Sequence, residues 1–156
     1  MTDETIRKTL DVPLTPDEAF ALWTAAMSDW WPLDTHSLSA GEGALPRDVS
    51  VEPREGGQIV ETRHDGVRVP WGRITAWEPG RRLAVAWHVG REEAEAIDLD
   101  IVFAPIDTGT RVILTHGGFA RHGETASARR ENYRTGWDLV LGRCFAARCR
   151  AQGAVA

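Results

Sequence analysis

TASARRENYRTGWDLVLGRCFAARCRA, residues 125–151, is the stretch that decides the fold. Tyr133, Trp137, Val140, Leu141, Cys144 and Arg148 recur at steps of four, three, one, three and four, while Arg129, Arg130, Arg134, Asp138 and Arg143 fall elsewhere. That is the period of a helix with one apolar stripe. Gly136 and Gly142 lie inside it, each costing roughly 1 kcal/mol against alanine, so the helix must draw its stability from whatever the stripe covers. At ~1.5 Å per residue it is about 35 to 40 Å long, enough to cross a sheet of several strands, and Gly136 beside Trp137 permits a close backbone approach.

The preceding chain supplies that sheet. Short apolar runs separated by turn signals fill residues 49 to 118, with no gap long enough for a crossover helix, so the strands are antiparallel. They run Val49–Arg54, Gln58–Arg63, Val69–Trp77, Arg82–Val89, Ile97–Phe103 and Arg111–His116, and Ile6–Val12 makes a seventh. Alternation orients most of them. Asp98 and Asp100 facing solvent turn Ile97, Leu99, Ile101 and Phe103 inward; Arg111 facing out turns Val112, Leu114 and His116 in; Arg82 facing out turns Leu83, Val85 and Trp87 in and leaves His88 outside. Trp71 and Trp77 share a parity with Arg73 and Thr75, a conflict that a bulge would resolve. In Gln58–Arg63 period alone does not choose between the face of Ile59, Glu61 and Arg63 and that of Val60.

Between the first strand and the rest, Thr15, Pro16 and Glu18 form an N-cap, a first-turn proline and a capping box. The helix they open extends to about Ala26, burying Ala19, Phe20, Leu22 and Trp23, and a second short helix from Ser28 stops before Pro32. Trp30 and Trp31 are adjacent and are expected not to face one core. Leu33 to Asp48 has no period and carries Gly41, Gly43 and Pro46, a loop long enough to cover a cavity mouth or simply to run over the surface.

The 156 residues, 42% hydrophobic and 26% charged, suit one domain over residues 1–156 with a core that needs no staples. A net charge of -5 with interspersed signs argues against a surface prepared for nucleic acid or an anionic membrane. Cys144 and Cys149 point about 140° apart on one helix and are expected as free thiols, Cys144 buried. With no leader-like opening and no membrane-length apolar run, the expected location is cytoplasmic. Five histidines without metal-ligand spacing, no G-x-S-x-G and no phosphate loop argue against metal, nucleophile and nucleotide chemistry. No cofactor and no catalytic residue is assigned.

Several stretches in order, TPDEAFALWT (15–24), WWP (30–32), EPREGGQIVET (52–62), WGRITAWEPGRRLAVAWH (71–88), TGTRVILTHGGF (108–119) and YRTGWDLVLGRCF (133–145), resemble the activator of Hsp90 ATPase homologue-like branch of the START-like (SRPBCC) superfamily. The resemblance covers almost the whole chain. It implies an α+β helix-grip fold of the START/Bet-v-1-like kind: a curved seven-stranded antiparallel sheet around a long C-terminal helix, with two short helices between strands 1 and 2. Members typically enclose a cavity between sheet and helix, and relatives bind lipids, sterols or polyketides or cyclise aromatic polyketides. The co-chaperone that names the family carries a further amino-terminal domain; a first strand at about Ile6 is expected to leave no room for it, so chaperone activation is not expected.

The expected site is therefore a hydrophobic cavity for an apolar or amphipathic small molecule, walled by Trp87, Phe103, Leu114 and Trp137 and decorated by His116, with Trp31, Glu61, Phe119 and Tyr133 as further candidates. His116 is suited to orient a ligand oxygen or move a proton; the competing role is a core histidine satisfied by hydrogen bonding. Glu61 and Arg63 either pair across the cavity or sit on the solvated face, and Asp34 and His36 belong to the lid loop. An enzyme of cyclase or hydratase type using His116 with Glu61 or Asp34 is the alternative. A third is an interaction module, a homodimer included, meeting its partner through exposed tryptophans.

Overall fold

The computed structural model describes residues 5–155. Seven strands, β1 (Ile6–Val12), β2 (Asp48–Val51), β3 (Gln58–Thr62), β4 (Arg68–Glu78), β5 (Arg82–Trp87), β6 (Ile97–Ile106) and β7 (Gly109–Gly117), form one sheet in the order β1-β7-β6-β5-β4-β3-β2. Every pairing is antiparallel. β2 to β7 is a meander of neighbours, whereas β1 and β2 lie at opposite edges. The chain between them must cross the width of the sheet, and it does so through α1 (Pro16–Thr24), α2 (Met27–Trp30) and the loop to Asp48.

Thr15 caps α1 as its sequence demands: the Thr15 hydroxyl accepts from Glu18 N at 3.2 Å and the Glu18 carboxylate from Thr15 N at 2.9 Å. The helix ends at Thr24, two residues short of expectation. Trp30 and Trp31 are both buried, against expectation, at 5% and 7% exposure. The reason is backbone geometry: Trp30 closes α2, while Trp31 is extended (φ -64°, ψ 134°), and this change of conformation between neighbours brings both indoles to one side. Their N–H groups donate to Leu22 O (2.8 Å) and His36 O (2.7 Å).

Inward parity holds for β5, β6 and β7, whose expected residues are all buried. His88 is buried as well, contrary to expectation, because β5 ends at Trp87 and the following turn folds over it, with Arg91 N donating to His88 O. β4 carries two bulges: pairing jumps from Ile59↔Gly72 to Val60↔Pro70, leaving Trp71 extra, and from Ile74↔Val85 to Ala76↔Ala84, leaving Thr75 extra. Each inserted residue flips the parity. Trp71 and Ile74 are thereby buried, and Trp77 packs its ring 4.9 Å from Phe20.

The terminal helix runs through α3 (Ala126–Leu139), a π-helical stretch (Val140–Phe145) and α4 (Ala146–Val155). The π turn adds a residue and rotates everything after it. The buried series becomes Trp137, Leu141, Phe145 and Cys149 at steps of four, so Cys149 is buried and Cys144 only half so, reversing the expectation; Arg148 turns outward toward Asp29 at 3.9 Å. Both thiols are free, and burial pushes Cys149 up to about 12. Among the described residues no helix is long and apolar enough to cross a membrane.

Candidate functional site

Between the helix, the sheet and the loop after α2 lies a cleft of about 340 Å³. α3 presents Arg129, Asn132, Tyr133, Gly136 and Trp137, and Val140 follows in the π turn, an i, i+3, i+4 series on one face. β4 and β5 present Trp71 and Trp87, with Val89 just beyond, and the loop presents Trp31, Thr35, His36 and Ser37. Trp31 is the centre of the aromatic wall, its ring centroid 5.4 Å from Trp71, 5.9 Å from Trp87 and 5.8 Å from Trp137. These are tilted and edge-on contacts of the favourable kind.

The loop is tied down by Glu61, which shares a buried face of β3 with Ile59 and is fully buried. Its carboxylate accepts from Leu38 N at 2.7 Å, Ser39 N at 2.9 Å and Trp71 Nε1 at 3.0 Å. Arg63 does not pair with it but with Glu42 and Asp65, and the buried Ser39 hydroxyl accepts from His64 N at 3.0 Å. β3 therefore clamps the loop over the cleft, while the loop in turn brings His36 to α3. His36 Nε2 lies 3.7 Å from where a Cβ on Gly136 would stand, so the approach that Gly136 permits is made by this imidazole. Burial lowers the His36 pKa below its ordinary value, Asp34 opposing weakly.

His116 is placed behind the cleft. It is fully buried, its Nδ1 accepts from Trp137 Nε1 at 3.0 Å, and its ring packs on Tyr133 (4.6 Å) and Phe119 (5.0 Å). Burial lowers its pKa to about 3. Nδ1 must therefore be the unprotonated nitrogen and Nε2 carries the hydrogen, which has no protein partner. Phe103 and Leu114 are likewise sealed in the core. Of the nine expected residues, Trp31, Trp87, Tyr133 and Trp137 line the cleft; Glu61, His116 and Phe119 sit directly behind its walls, and Phe103 and Leu114 do not reach it.

Thr35, Ser37, Trp71, Val89, Arg129, Asn132, Gly136 and Val140 complete the lining and were not expected there. The α3 members were legible in principle, by extending the Tyr133–Trp137–Val140 stripe one turn back; a charged Arg129 reads as solvent face. Trp71 was hidden by the bulges. Among the described residues no three His, Cys, Asp or Glu side chains converge in a way that holds a metal ion. The tryptophans are also unavailable as an outer contact surface: six are buried and Trp77 is packed on Phe20.

A sheet wrapped on a long helix with a cleft between them defines a helix-grip protein of the SRPBCC superfamily. Residues 13–148 match the family described as Activator of Hsp90 ATPase homolog 1-like protein, and the chain belongs to that family. No match is found among curated proteins. Solved structures agree on the fold: a Rhodobacter sphaeroides protein is 17% identical with TM-score 0.67, covering 97% of this chain and 93% of its own, and the AHSA1-like protein from Aeromonas hydrophila is 18% identical with TM-score 0.65, covering 96% and 94%. An anthrahydroquino-gamma-pyrone synthase is 28% identical with TM-score 0.63, covering 94% of this chain and 99% of its own.

Proposed function

We propose that this protein binds an apolar or amphipathic small molecule in the cleft between α3, the sheet and the loop clamped by Glu61. The observation that carries this reading is the cleft itself: about 340 Å³, within the range for drug-sized ligands, with four indoles in its wall and polar groups at few points. A filled interior would have left no such space. The test uses the protein's own fluorescence. Titration with 1-anilinonaphthalene-8-sulfonate should quench tryptophan emission saturably at one site, and Gly136→Leu, which fills the cleft from the helix side, should abolish it. Unsaturable quenching that persists in Gly136→Leu overturns the reading.

A second reading, catalysis in the same cleft, is favoured by the 28% identical synthase. Its chemistry cannot rest on His116 with Glu61, since Trp137 occupies His116 Nδ1 and three donors occupy Glu61. His36 and Tyr133 are the proton-handling side chains of the lining; His36 is neutral near pH 7, its Nδ1 is hydrogen-bonded to Thr35 Oγ1 at 2.7 Å, and Nε2 is the nitrogen available as a base. Turnover of an aromatic polyketone that falls at least 100-fold in His36→Gln, with binding retained, is the expected result under this reading.

A further inference from the structure

The polar part of the lining is unbalanced in a way that selects a ligand. Arg129 is the one lining side chain that carries a formal charge at neutral pH, since the lining contains no carboxylate and His36 is held neutral. Among the described residues no hydrogen bond or ion pair to another protein side chain occupies the Arg129 guanidinium. Trp87 is 2% exposed, and its indole N–H, which can only donate, acts on the Tyr133 hydroxyl without completing a hydrogen bond of normal geometry. The other three indole donors of this wall are already used, Trp31 on His36 O, Trp71 on Glu61 and Trp137 on His116. Tyr133 lines the same cleft as Arg129 and Trp87; burial raises the pKa of its hydroxyl, and the Trp87 N–H and the Arg129 and Arg91 guanidinium groups act the other way. Arg91 is engaged with Glu95; Arg129 is not. Of the carboxylates near the cleft, Glu61 is engaged by three donors behind Trp71, and Asp34, which acts on His36, is not part of the lining.

An indole N–H and a phenol hydroxyl, a cation unpaired among the described residues and flat apolar walls together describe the complement of an aromatic acid. We propose that the cleft is selective for planar aromatic ligands bearing an anionic oxygen group, the rings lying among Trp31, Trp87 and Trp137 and the anion received by Arg129, the Tyr133 hydroxyl and the Trp87 indole N–H. This rests on the cleft being a binding site, and it adds the sign of the ligand's charge. The protein as a whole carries -5, so its general field repels such a ligand and the preference has to be local.

2-Naphthoate and 2-naphthamide share a ring system and differ in charge. Titrated against the full chain by tryptophan fluorescence at neutral pH and low salt, naphthoate should bind at least about tenfold more tightly, the range of one charge-assisted hydrogen bond. Arg129→Gln, on a half-exposed helix position, should erase that ratio by weakening naphthoate while leaving naphthamide within about twofold. Tyr133→Phe, which removes only the hydroxyl, should cut the ratio severalfold and serves if Arg129→Gln melts early. Equal affinities, or a preference unchanged in both variants, overturn the anion site and leave the binding cleft standing. Failure of both probes to bind the unaltered protein overturns the cleft reading and this one with it.

Discussion

His116 is the residue at which sequence and structure part most usefully. Inward parity was right, yet inward on β7 means the layer behind Trp137, where the ring accepts one indole hydrogen bond and stays neutral. Its folded pKa of about 3 lies below the ordinary value near 6.5, so between those two pH values the unfolded chain binds a proton that the folded one refuses. Stability is full above pH ~6.5 and is lost as pH falls toward the folded value, by about 2 kcal/mol at pH ~5 for this group. Urea melts of the native protein and His116→Gln at pH 8 and pH 5 read it directly. The glutamine oxygen still accepts from Trp137, so the variant should lose most of that pH dependence, and an identical drop in both proteins would assign it elsewhere.

At the scale of elements, the π turn sets which side chains the terminal helix buries. A straight α-helix would continue Trp137, Val140, Cys144 and Arg148; the additional residue replaces the last two by Phe145 and Cys149. Gly142 lies in this turn, and a Cβ there would meet nothing within 4 Å. Since its backbone is helical and not in the left-handed region, Gly142→Ala should stabilise the protein by about 0.5 to 1 kcal/mol, mainly by restricting the unfolded chain, seen as a raised denaturation midpoint at unchanged m-value. Destabilisation would mean that the π turn depends on glycine. Gly109 is the opposite case: its φ is +147° and a Cβ would stand 2.1 Å from Val12 O, where β7 begins against the end of β1.

Across the whole molecule, β1 and β2 at opposite sheet edges force a long connection, and that connection is used to close the cleft. Glu61 is its latch. Glu61→Gln keeps the shape but replaces one acceptor oxygen by an NH₂ that confronts a donor, so the cost should be roughly 2 to 3 kcal/mol. The loss should be local as well as global: hydrogen exchange at the Leu38 and Ser39 amides should quicken beyond the change in global stability, and probe affinity should fall because His36 and Ser37 are no longer held. Protection at those two amides matching the rest of the sheet would show that the loop is held without the latch.

Local patterns in the sequence determined what depends on neighbours in the chain: the capping box at Thr15, the antiparallel strands and their inward faces in β5, β6 and β7, and a terminal helix long enough to cross them. Those signals have short periods and survive without knowledge of distant partners. Tertiary structure alone decided the rest. A bulge or a π turn is one inserted residue, energetically small locally, whose position is chosen by the packing it permits, so the burial of Trp71 and the exchange of Cys144 for Cys149 could not be read from period. The same holds for the cleft. Whether an inward residue lines it or lies behind it depends on how far loop 33–47 descends, and that distance is set by a single carboxylate on a different strand whose hydrogen-bond donors are 22 to 23 residues away in sequence or on the neighbouring strand.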